Sequence, residues 1–298
     1  MTHLHTHKNE NKHQSFKGAF ILNLVFTVIE LIGGYVTNSV AITSDAIHDL
    51  GDSVCLGFAY WSEKKAQNSL RTDSYTYGMN RLPLVSALLN ALILVSGSIG
   101  IIVYSISRLD NPPEVHSKWM ILWAIVGIGF NSWAALKLHN HHGLNAKVAS
   151  LHLLEDVLGW VAVFFGSILI HFTGWNLIDP ILSLCIAIFI LINAFKNLRE
   201  AYYIIMQKTP DEITINKISV ALEKIEGILN VHDLHLWTLE GSKHILSLHV
   251  VVNDHTHMDD FIRIKADIRK CLNFFGDIHA TVEFEWTKEN CRDKGLAY

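Results

Sequence analysis

The sequence contains few charged residues: Asp, Glu, Lys and Arg make up only 17% of its 298 residues, against about a quarter in soluble domains. Its five prolines and 18 glycines are too few for a collagen-like or disordered chain. The net charge of −4 with neutral histidine does not provide the basic surface that nucleic-acid binding requires. The four cysteines include no CxxC pair, so neither a disulfide framework nor a zinc–thiolate site is predicted.

Half of the residues are hydrophobic, and the first two-thirds of the chain is the apolar part. Six stretches are long enough to cross a bilayer as helices: 18–35, 40–61, 82–107, 119–138, 148–172 and 178–205. The first stretch carries Asn23 and Glu30 without a small-residue cleavage pattern, so a removable signal peptide is not expected. The pattern predicts an α-helical, multi-pass protein of the cell membrane.

The distribution of Lys and Arg predicts the orientation of these helices. If the N-terminus is cytoplasmic, the outer loops contain only Arg108 and Lys118, and the other basic residues of 1–208 lie inside. Cytoplasmic loops are the ones enriched in Lys and Arg. Both termini are therefore expected in the cytoplasm.

The last third of the chain is predicted to be a small cytoplasmic α+β domain. Residues 208–298 hold 11 basic and 15 acidic residues, whereas 1–207 are neutral overall. Hydrophobic spacing predicts the order αββαβ, with elements at 214–226, 231–239, 244–252, 258–274 and 279–286. The predicted organisation is a His-rich tail (1–17), a transmembrane domain (18–207) and this domain (208–298).

The second apolar stretch carries four ionisable residues within the sequence SDAIHDLGDS: Asp45, His48, Asp49 and Asp52. On a helix they fall within an arc of roughly 100°, and His48 and Asp52 are spaced i,i+4. Ionisable residues inside a membrane span are costly and usually mark a pathway or binding site.

The fifth apolar stretch repeats this spacing in SLHLLEDVLG, with His152, Asp156 and an intervening Glu155. One such pair could be a structural contact between helices, but two copies in separate spans favour a metal site. Two imidazoles and two carboxylates form a tetrahedral set suited to zinc, and two aspartates balance a divalent charge. Calcium or magnesium would favour more oxygen ligands and no imidazole.

Four segments, SDAIHDLGDS, HLLED, YGMNRLP and VHDLHLWTLEGSKHILSLHVVV, resemble the cation diffusion facilitator family, particularly its bacterial zinc exporters. The resemblance extends from about residue 18 to residue 286. It implies six transmembrane helices, a cytoplasmic ferredoxin-like domain, a homodimer and metal–proton antiport. By motif position, it implies the transport ligands His48, Asp52, His152 and Asp156.

The sequence departs from the family pattern at Glu155, where a small residue is usual, and at Asp49, which is commonly apolar. With Asp45, these acids could contact the ligands, carry protons or line a wet cavity. Other polar residues of the apolar stretches are expected to be mostly interhelical hydrogen-bonding groups, although Glu30 could line the cavity: Asn23, Glu30, Asn90, Asn131 and Asp179.

The family resemblance also implies regulatory metal ligands on the strands of the C-terminal domain. The corresponding residues are His232, His249 and Glu285, with Glu283 and His279 close by in the sequence. A single histidine of this kind is more often a surface or core residue, whereas the set on neighbouring strands favours a metal site. Further histidines could capture zinc or belong to solvated segments without a role: His3, His5, His7, His13, His139, His141 and His142.

We therefore expect a dimeric exporter that exchanges cytoplasmic zinc for protons, with zinc also bound to the C-terminal domain and no organic cofactor. Cd²⁺, Co²⁺, Fe²⁺ and Mn²⁺ remain alternative substrates, because selectivity depends on geometry and ligand type. An intramembrane zinc hydrolase would need an open coordination position and commonly the motif H-E-x-x-H, which is absent. A metal sensor that signals to a partner is a further alternative.

Overall fold

The computed structural model describes residues 4–69, 71–139, 144–211 and 213–289, without the side chains of 4–19, 22, 67, 137–139 and 144–152. The chain forms two units, one of Met1–Lys64 with Val85–Leu198 and one of Lys65–Leu84 with Arg199–Tyr298. Six long helices come first: α1 Leu4–Thr37, α2 Val40–Asn68, α3 Leu82–Ser107, α4 Ser117–His139, α5 Leu144–Thr173 and α6 Ile178–Ile205.

Within the described residues, four helical stretches are long and apolar enough to cross a bilayer: Leu82–Ser107, Ser117–Leu136, Leu153–Thr173 and Ile178–Ile205. The apolar part of α1, Asn23–Thr37, is shorter, and α2 carries the four ionisable residues of SDAIHDLGDS. Helix α1 begins at Leu4 and therefore includes most of the segment 1–17, which the sequence had predicted as a separate tail. The bounds of α3 and α6 match the sequence prediction.

The N-terminus of α2 is fixed by a side chain of α6. The carboxylate of Asp179 accepts hydrogen bonds from Ser39 Oγ (2.5 Å), Val40 N (2.5 Å) and Ala41 N (3.3 Å). Asp179 is fully buried, so these donors replace the water that a carboxylate requires. Asp179 thus caps α2, satisfies backbone N–H groups that a helix start leaves unpaired, and ties α2 to α6.

A close contact between α4 and α5 depends on a glycine. Trp160 of α5 is 1% exposed and packs beside Phe26 of α1, which also stacks on Phe130 of α4. A Cβ atom built on Gly127 of α4 would lie 2.2 Å from Trp160 Cδ2. Only glycine therefore leaves room for the indole in this arrangement.

The second unit contains the predicted order αββαβ: α7 Ile215–Glu223, β1 Ile228–Thr238, β2 His244–Val252, α8 Met258–Asn273 and β3 Ile278–Trp286. The strands form one sheet in the order β1-β2-β3, with β1 antiparallel and β3 parallel to β2. A parallel neighbour requires a crossover connection, which α8 provides. The central strand β2 has the predicted bounds.

The core of this unit lies between one face of the sheet and the two helices. Buried apolar residues recur at helical spacing on α8 (Ile264, Ile268 and Leu272) and at strand spacing on β2. Leu248 and Val250 of β2 are fully buried. This core holds the central strand in place between its two neighbours.

Replacing Gly127 with alanine should destabilise the protein, because the added methyl group would collide with the Trp160 ring. Overpacking of this kind costs about 1–3 kcal/mol. We expect a lower melting temperature for the purified protein in detergent. Gly129→Ala is the matched control, since no atom lies within 4 Å of its Cβ position. Equal melting temperatures for the two variants would show that Trp160 moves without cost.

Candidate metal sites

The first candidate site lies on α2. His48, Asp49 and Asp52 offer potential ligand atoms that all lie within 4.8 Å of one another. His48 Nε2 is 3.6 Å from Asp52 Oδ2, as the i,i+4 spacing predicted, and both side chains are about nine-tenths buried. Asp49 is 4% exposed and belongs to the same group. One turn of helix thus supplies an imidazole and two carboxylates in an apolar environment.

Contacts from α1 help to position this turn of α2. Asn23 Nδ2 donates to the carbonyl oxygen of Asp49 (3.2 Å) and to Ser53 Oγ (3.1 Å). A Cβ atom on Gly34 would lie 2.5 Å from Thr43 Oγ1, so this glycine of α1 lets the two helices approach closely. With Asp179 at its N-terminus, α2 is therefore held from two sides.

Helix α5 brings Asp156 towards the same region. Asp156 is half-buried and lies near enough to Glu30 of α1 and Asp49 of α2 for like-charge repulsion between the acids, but it is not part of the ligand group of α2. The side chain of His152, the fourth predicted ligand, lies outside the described side chains. Glu155, the adjacent acid of α5, is exposed. Three of the four predicted ligands, His48, Asp52 and Asp156, have described side chains, and all three belong to the first unit.

Glu30 was not among the predicted ligands, although the sequence indicated that it could line the cavity. It is 1% exposed, and within the described residues its carboxyl oxygens have no hydrogen-bond partner other than the carboxyl group of Asp49. Its carboxylate contacts that of Asp49. The only sequence signal was its position as the single ionisable residue of the first apolar stretch.

The second candidate site lies on the sheet of the C-terminal unit. His232, His249 and Glu285 offer ligand atoms within 4.8 Å of one another. His249 Nδ1 is 2.8 Å from Glu285 Oε1, and His232 Nε2 is 3.2 Å from Glu285 Oε2. The β1–β2 register places His232 directly opposite His249, with ring centroids 5.3 Å apart. The three residues come from three neighbouring strands.

A β-bulge adds a carboxylate that the sequence analysis missed. The register shifts between His232 and His235, and Asp233 adopts a positive φ of 50°. In a regular strand Asp233 would point away from the face of His232. Here Asp233 Oδ2 is 3.5 Å from His249 Nε2, and its Oδ1 is 2.9 Å from His235 Nε2. Glu283 also approaches His249, at 3.6 Å.

The chemistry of the sheet cluster suits a divalent cation that accepts nitrogen and oxygen ligands. Both ring nitrogens of His232 are buried, and neither makes a well-aligned hydrogen bond within the described residues. Buried polar atoms without partners are rare in native proteins, because they lose solvation without compensation. Neutral imidazole and ionised carboxylate are both ligands that zinc prefers.

The other predicted histidines lie elsewhere. His279 stacks edge-on against Tyr77, with centroids 5.9 Å apart, and is not part of the cluster. The tail and loop histidines lie outside the described side chains. Of the described cysteines, Cys55, Cys185 and Cys271 are free, as expected. Burial raises the pKa of the Cys271 thiol, so that it stays protonated and is a poor metal ligand at neutral pH.

Comparison with known proteins identifies both units. The cation efflux transmembrane domain matches residues 17–206, and the cytoplasmic domain of cation efflux proteins matches residues 210–285. A cadmium, cobalt and zinc/H(+)-K(+) antiporter of Bacillus velezensis is 33% identical over 97% of this chain and 94% of its own. The metal cation efflux system protein CzcD of Cupriavidus metallidurans is 32% identical, covering 95% of this chain and 89% of its own. The zinc transporter ZitB of Pectobacterium atrosepticum is 32% identical over 100% of this chain and 92% of its own.

We expect Zn²⁺ to stabilise the full-length protein through the sheet cluster, and His232→Ala with His249→Ala to remove this effect. The pair supplies both imidazoles of the cluster. A bound ligand stabilises by about 2.7 kcal/mol at a hundredfold excess over Kd. Thermal melts with and without Zn²⁺ measure the difference.

The matched control replaces His255 and His257, two exposed histidines of the same unit, with alanine. The control should keep the zinc response of the wild type. An undiminished response in the His232/His249 variant would place the stabilising ligands elsewhere.

Proposed function

Because the chain belongs to the cation diffusion facilitator family, we propose that it exports Zn²⁺ from the cytoplasm in exchange for protons. The observation that carries this proposal is the buried group of potential ligands on α2, which consists of His48, Asp49 and Asp52. Burying an imidazole and several carboxylates among apolar helices is costly. Such residues therefore usually mark an ion pathway or a binding site.

We propose that His48, Asp52, His152 and Asp156 together hold the transported ion. Two nitrogen and two oxygen ligands match the tetrahedral preference of zinc. Two ionised aspartates cancel the charge of a divalent cation, so the loaded site is close to neutral in a medium of low dielectric constant. Ligands on two different helices allow the site to open when the helices move relative to each other.

Proton coupling follows from the ligand chemistry. Imidazole and carboxylate must be deprotonated to bind the metal, so protons and zinc compete for one site. Facing the cytoplasm, the deprotonated site loads zinc. Facing the outside, where proton activity is higher, protonation of His48 or His152 weakens coordination and releases the ion. The returning site then carries protons inward.

The architecture that we propose has six membrane spans, α1–α6, with both termini in the cytoplasm. The domains are a tail (1–17), a transport domain (18–207) and a ferredoxin-like cytoplasmic domain (208–298). We propose that the last domain pairs with a second copy to form a homodimer and binds zinc through His232, His249 and Glu285. The zinc-binding cluster would tune transport without being part of the pathway.

The names of the relatives indicate which metal ions and which counter-ions are candidates for transport. Cadmium and cobalt are transported beside zinc by the Bacillus relatives as named, whereas the ZitB relatives are named for zinc alone. The donor set of α2 and α5 favours zinc among these ions. The Bacillus names also include potassium, so an alkali cation is a candidate counter-ion in addition to the proton.

A hydrolase or a sensor would differ from a transporter in one measurement. Four protein ligands leave no coordination position for the water that a zinc hydrolase activates. A sensor would bind zinc without moving it. Zinc uptake into proteoliposomes driven by an imposed pH gradient, with a panel of divalent metals, therefore tests the proposal. Absence of flux for every metal would contradict it.

Asp156→Ala should abolish zinc flux while leaving the protein folded and dimeric, and Asp52→Ala should do the same. Each change removes one ligand and one compensating charge from the proposed site. Glu155→Gln is the matched control, because this exposed carboxylate neighbours Asp156 on α5. Stopped-flow measurements of zinc flux on the three variants test the assignment of these ligands. Normal flux in a folded Asp156→Ala variant would contradict it.

His48→Asp should shift selectivity from zinc towards cadmium. Replacing imidazole with carboxylate adds negative charge and an adaptable oxygen donor at a position 3.6 Å from Asp52. A larger ion is then penalised less. Competition transport of Zn²⁺ against Cd²⁺ measures the preference, and an unchanged ratio would mean that residue 48 does not set it.

A further inference from the structure

A β-bulge in β1 turns the Asp233 side chain towards the ligand cluster of the sheet. The register of β1 against β2 shifts between His232 and His235. Two residues, Asp233 and Leu234, therefore oppose the single residue Leu248 of β2. Leu234 packs against the hydrophobic core, whereas Asp233 lies on the opposite face of the sheet, which carries His232. One extra residue in the strand thus adds a carboxylate to this face.

The backbone of Asp233 adopts a conformation that glycine would adopt at no cost. Its φ of 50° lies in the left-handed region, which most residues with a side chain avoid and aspartate tolerates better than most. Glycine is the residue best suited to a bulge of this geometry. A side chain kept at such a position, next to a cluster of potential ligands, indicates that the side chain itself has a role.

The two oxygens of the Asp233 carboxylate have different partners. Oδ1 lies 2.9 Å from Nε2 of His235, in a hydrogen bond that fixes the orientation of the carboxylate. Oδ2 lies 3.5 Å from Nε2 of His249. The Asp233 side chain is only 15% exposed, so its interactions are weakly screened by water. His235 therefore holds Asp233 with its second oxygen facing His249.

The two ring nitrogens of His249 also face different groups. Nδ1 lies 2.8 Å from Oε1 of Glu285, within the proposed ligand cluster. Nε2 faces Asp233 and, at 3.6 Å, Glu283, whose side chain is 70% exposed. A histidine that binds a metal through one nitrogen usually donates its other N–H group to a carboxylate, which fixes the orientation and the tautomer of the ring. Asp233 is the buried carboxylate that stands in this position.

We propose that Asp233 is a positioning residue of the zinc cluster in the C-terminal domain, an inference that rests on the zinc site proposed above. Asp233 accepts the Nε2–H group of His249 and thereby leaves the lone pair of Nδ1 facing Glu285 and His232. The carboxylate also makes the imidazole a stronger ligand without touching the metal itself. Asp233 therefore sets the zinc concentration at which the C-terminal domain binds its ion.

The zinc affinity of the full-length protein tests this role, measured in detergent by competition with a chromophoric chelator. All variants carry Asp52→Ala, which removes a ligand of the proposed transport site. Asp233→Gly keeps a residue suited to the bulge but removes the carboxylate, and it should weaken zinc binding by about 10–100-fold. Asp233→Asn retains a neutral oxygen acceptor and should recover part of this loss. A purely structural role of the bulge would leave the affinity of Asp233→Gly unchanged.

Cobalt provides a second readout that does not depend on stability. The visible absorption of Co²⁺ bound in place of zinc reports the geometry of its ligands. We expect Asp233→Gly to change this spectrum, because the ring of His249 is no longer held in one orientation. Asp259→Asn is the matched control, since this exposed carboxylate lies on α8 of the same unit. The control should keep both the zinc affinity and the cobalt spectrum.

The outcomes separate this proposal from the proposed function. Undiminished zinc affinity and an unchanged cobalt spectrum in Asp233→Gly overturn the positioning role and leave the zinc cluster intact. Zinc binding that survives His232→Ala with His249→Ala overturns both the cluster and the role of Asp233. Neither readout requires transport, so an absence of zinc flux in the wild type contradicts the exporter alone.

Discussion

The burial of acidic side chains among apolar helices is the constraint on which the first unit depends. Asp49, Asp52 and Glu30 are each less than a tenth exposed. Each ionised carboxylate in such a medium requires donors or a cation. The imidazole of His48 serves this requirement beside Asp52, whereas Asp156 of α5 adds a further acid to the region. The stability of the fold and the proposed cation path therefore depend on the same electrostatic condition.

Asp179 and Glu30 show how the same chemical group acquires opposite roles. Asp179 accepts three hydrogen bonds from the start of α2, so its charge is satisfied by the protein itself and its effect is structural. Glu30 is equally buried, yet among the described residues its carboxyl oxygens meet only the carboxyl group of Asp49. The supply of hydrogen-bond donors, rather than burial or residue type, separates the carboxylate that holds the helices together from the acid whose partner is another acid.

Local sequence patterns predicted the helices and strands well, but they predicted less well which side chains lie near one another in the fold. The bounds of α3, α6 and β2 agree with the sequence because long apolar runs and alternation determine them directly. The family resemblance implied that His232 and His249 are metal ligands, but it gave no indication of Asp233. Its direction depends on a one-residue bulge that inverts the alternation of the strand. The environment of Glu30 likewise depends on helix packing, which a single sequence does not encode in any local pattern.

The two candidate metal sites differ in how firmly the backbone fixes their ligands, and this difference suits them to different tasks. Backbone hydrogen bonds of a three-stranded sheet fix the separation of His232, His249 and Glu285, which cannot change unless the ladder breaks. A cation bound there stays until it dissociates from an intact site. The proposed ligands on α2 and α5 belong to separate helices, and packing between helices tolerates sliding and rotation. A site that must load on one side of a membrane and release on the other needs that freedom, whereas a site that reports the metal concentration is better without it.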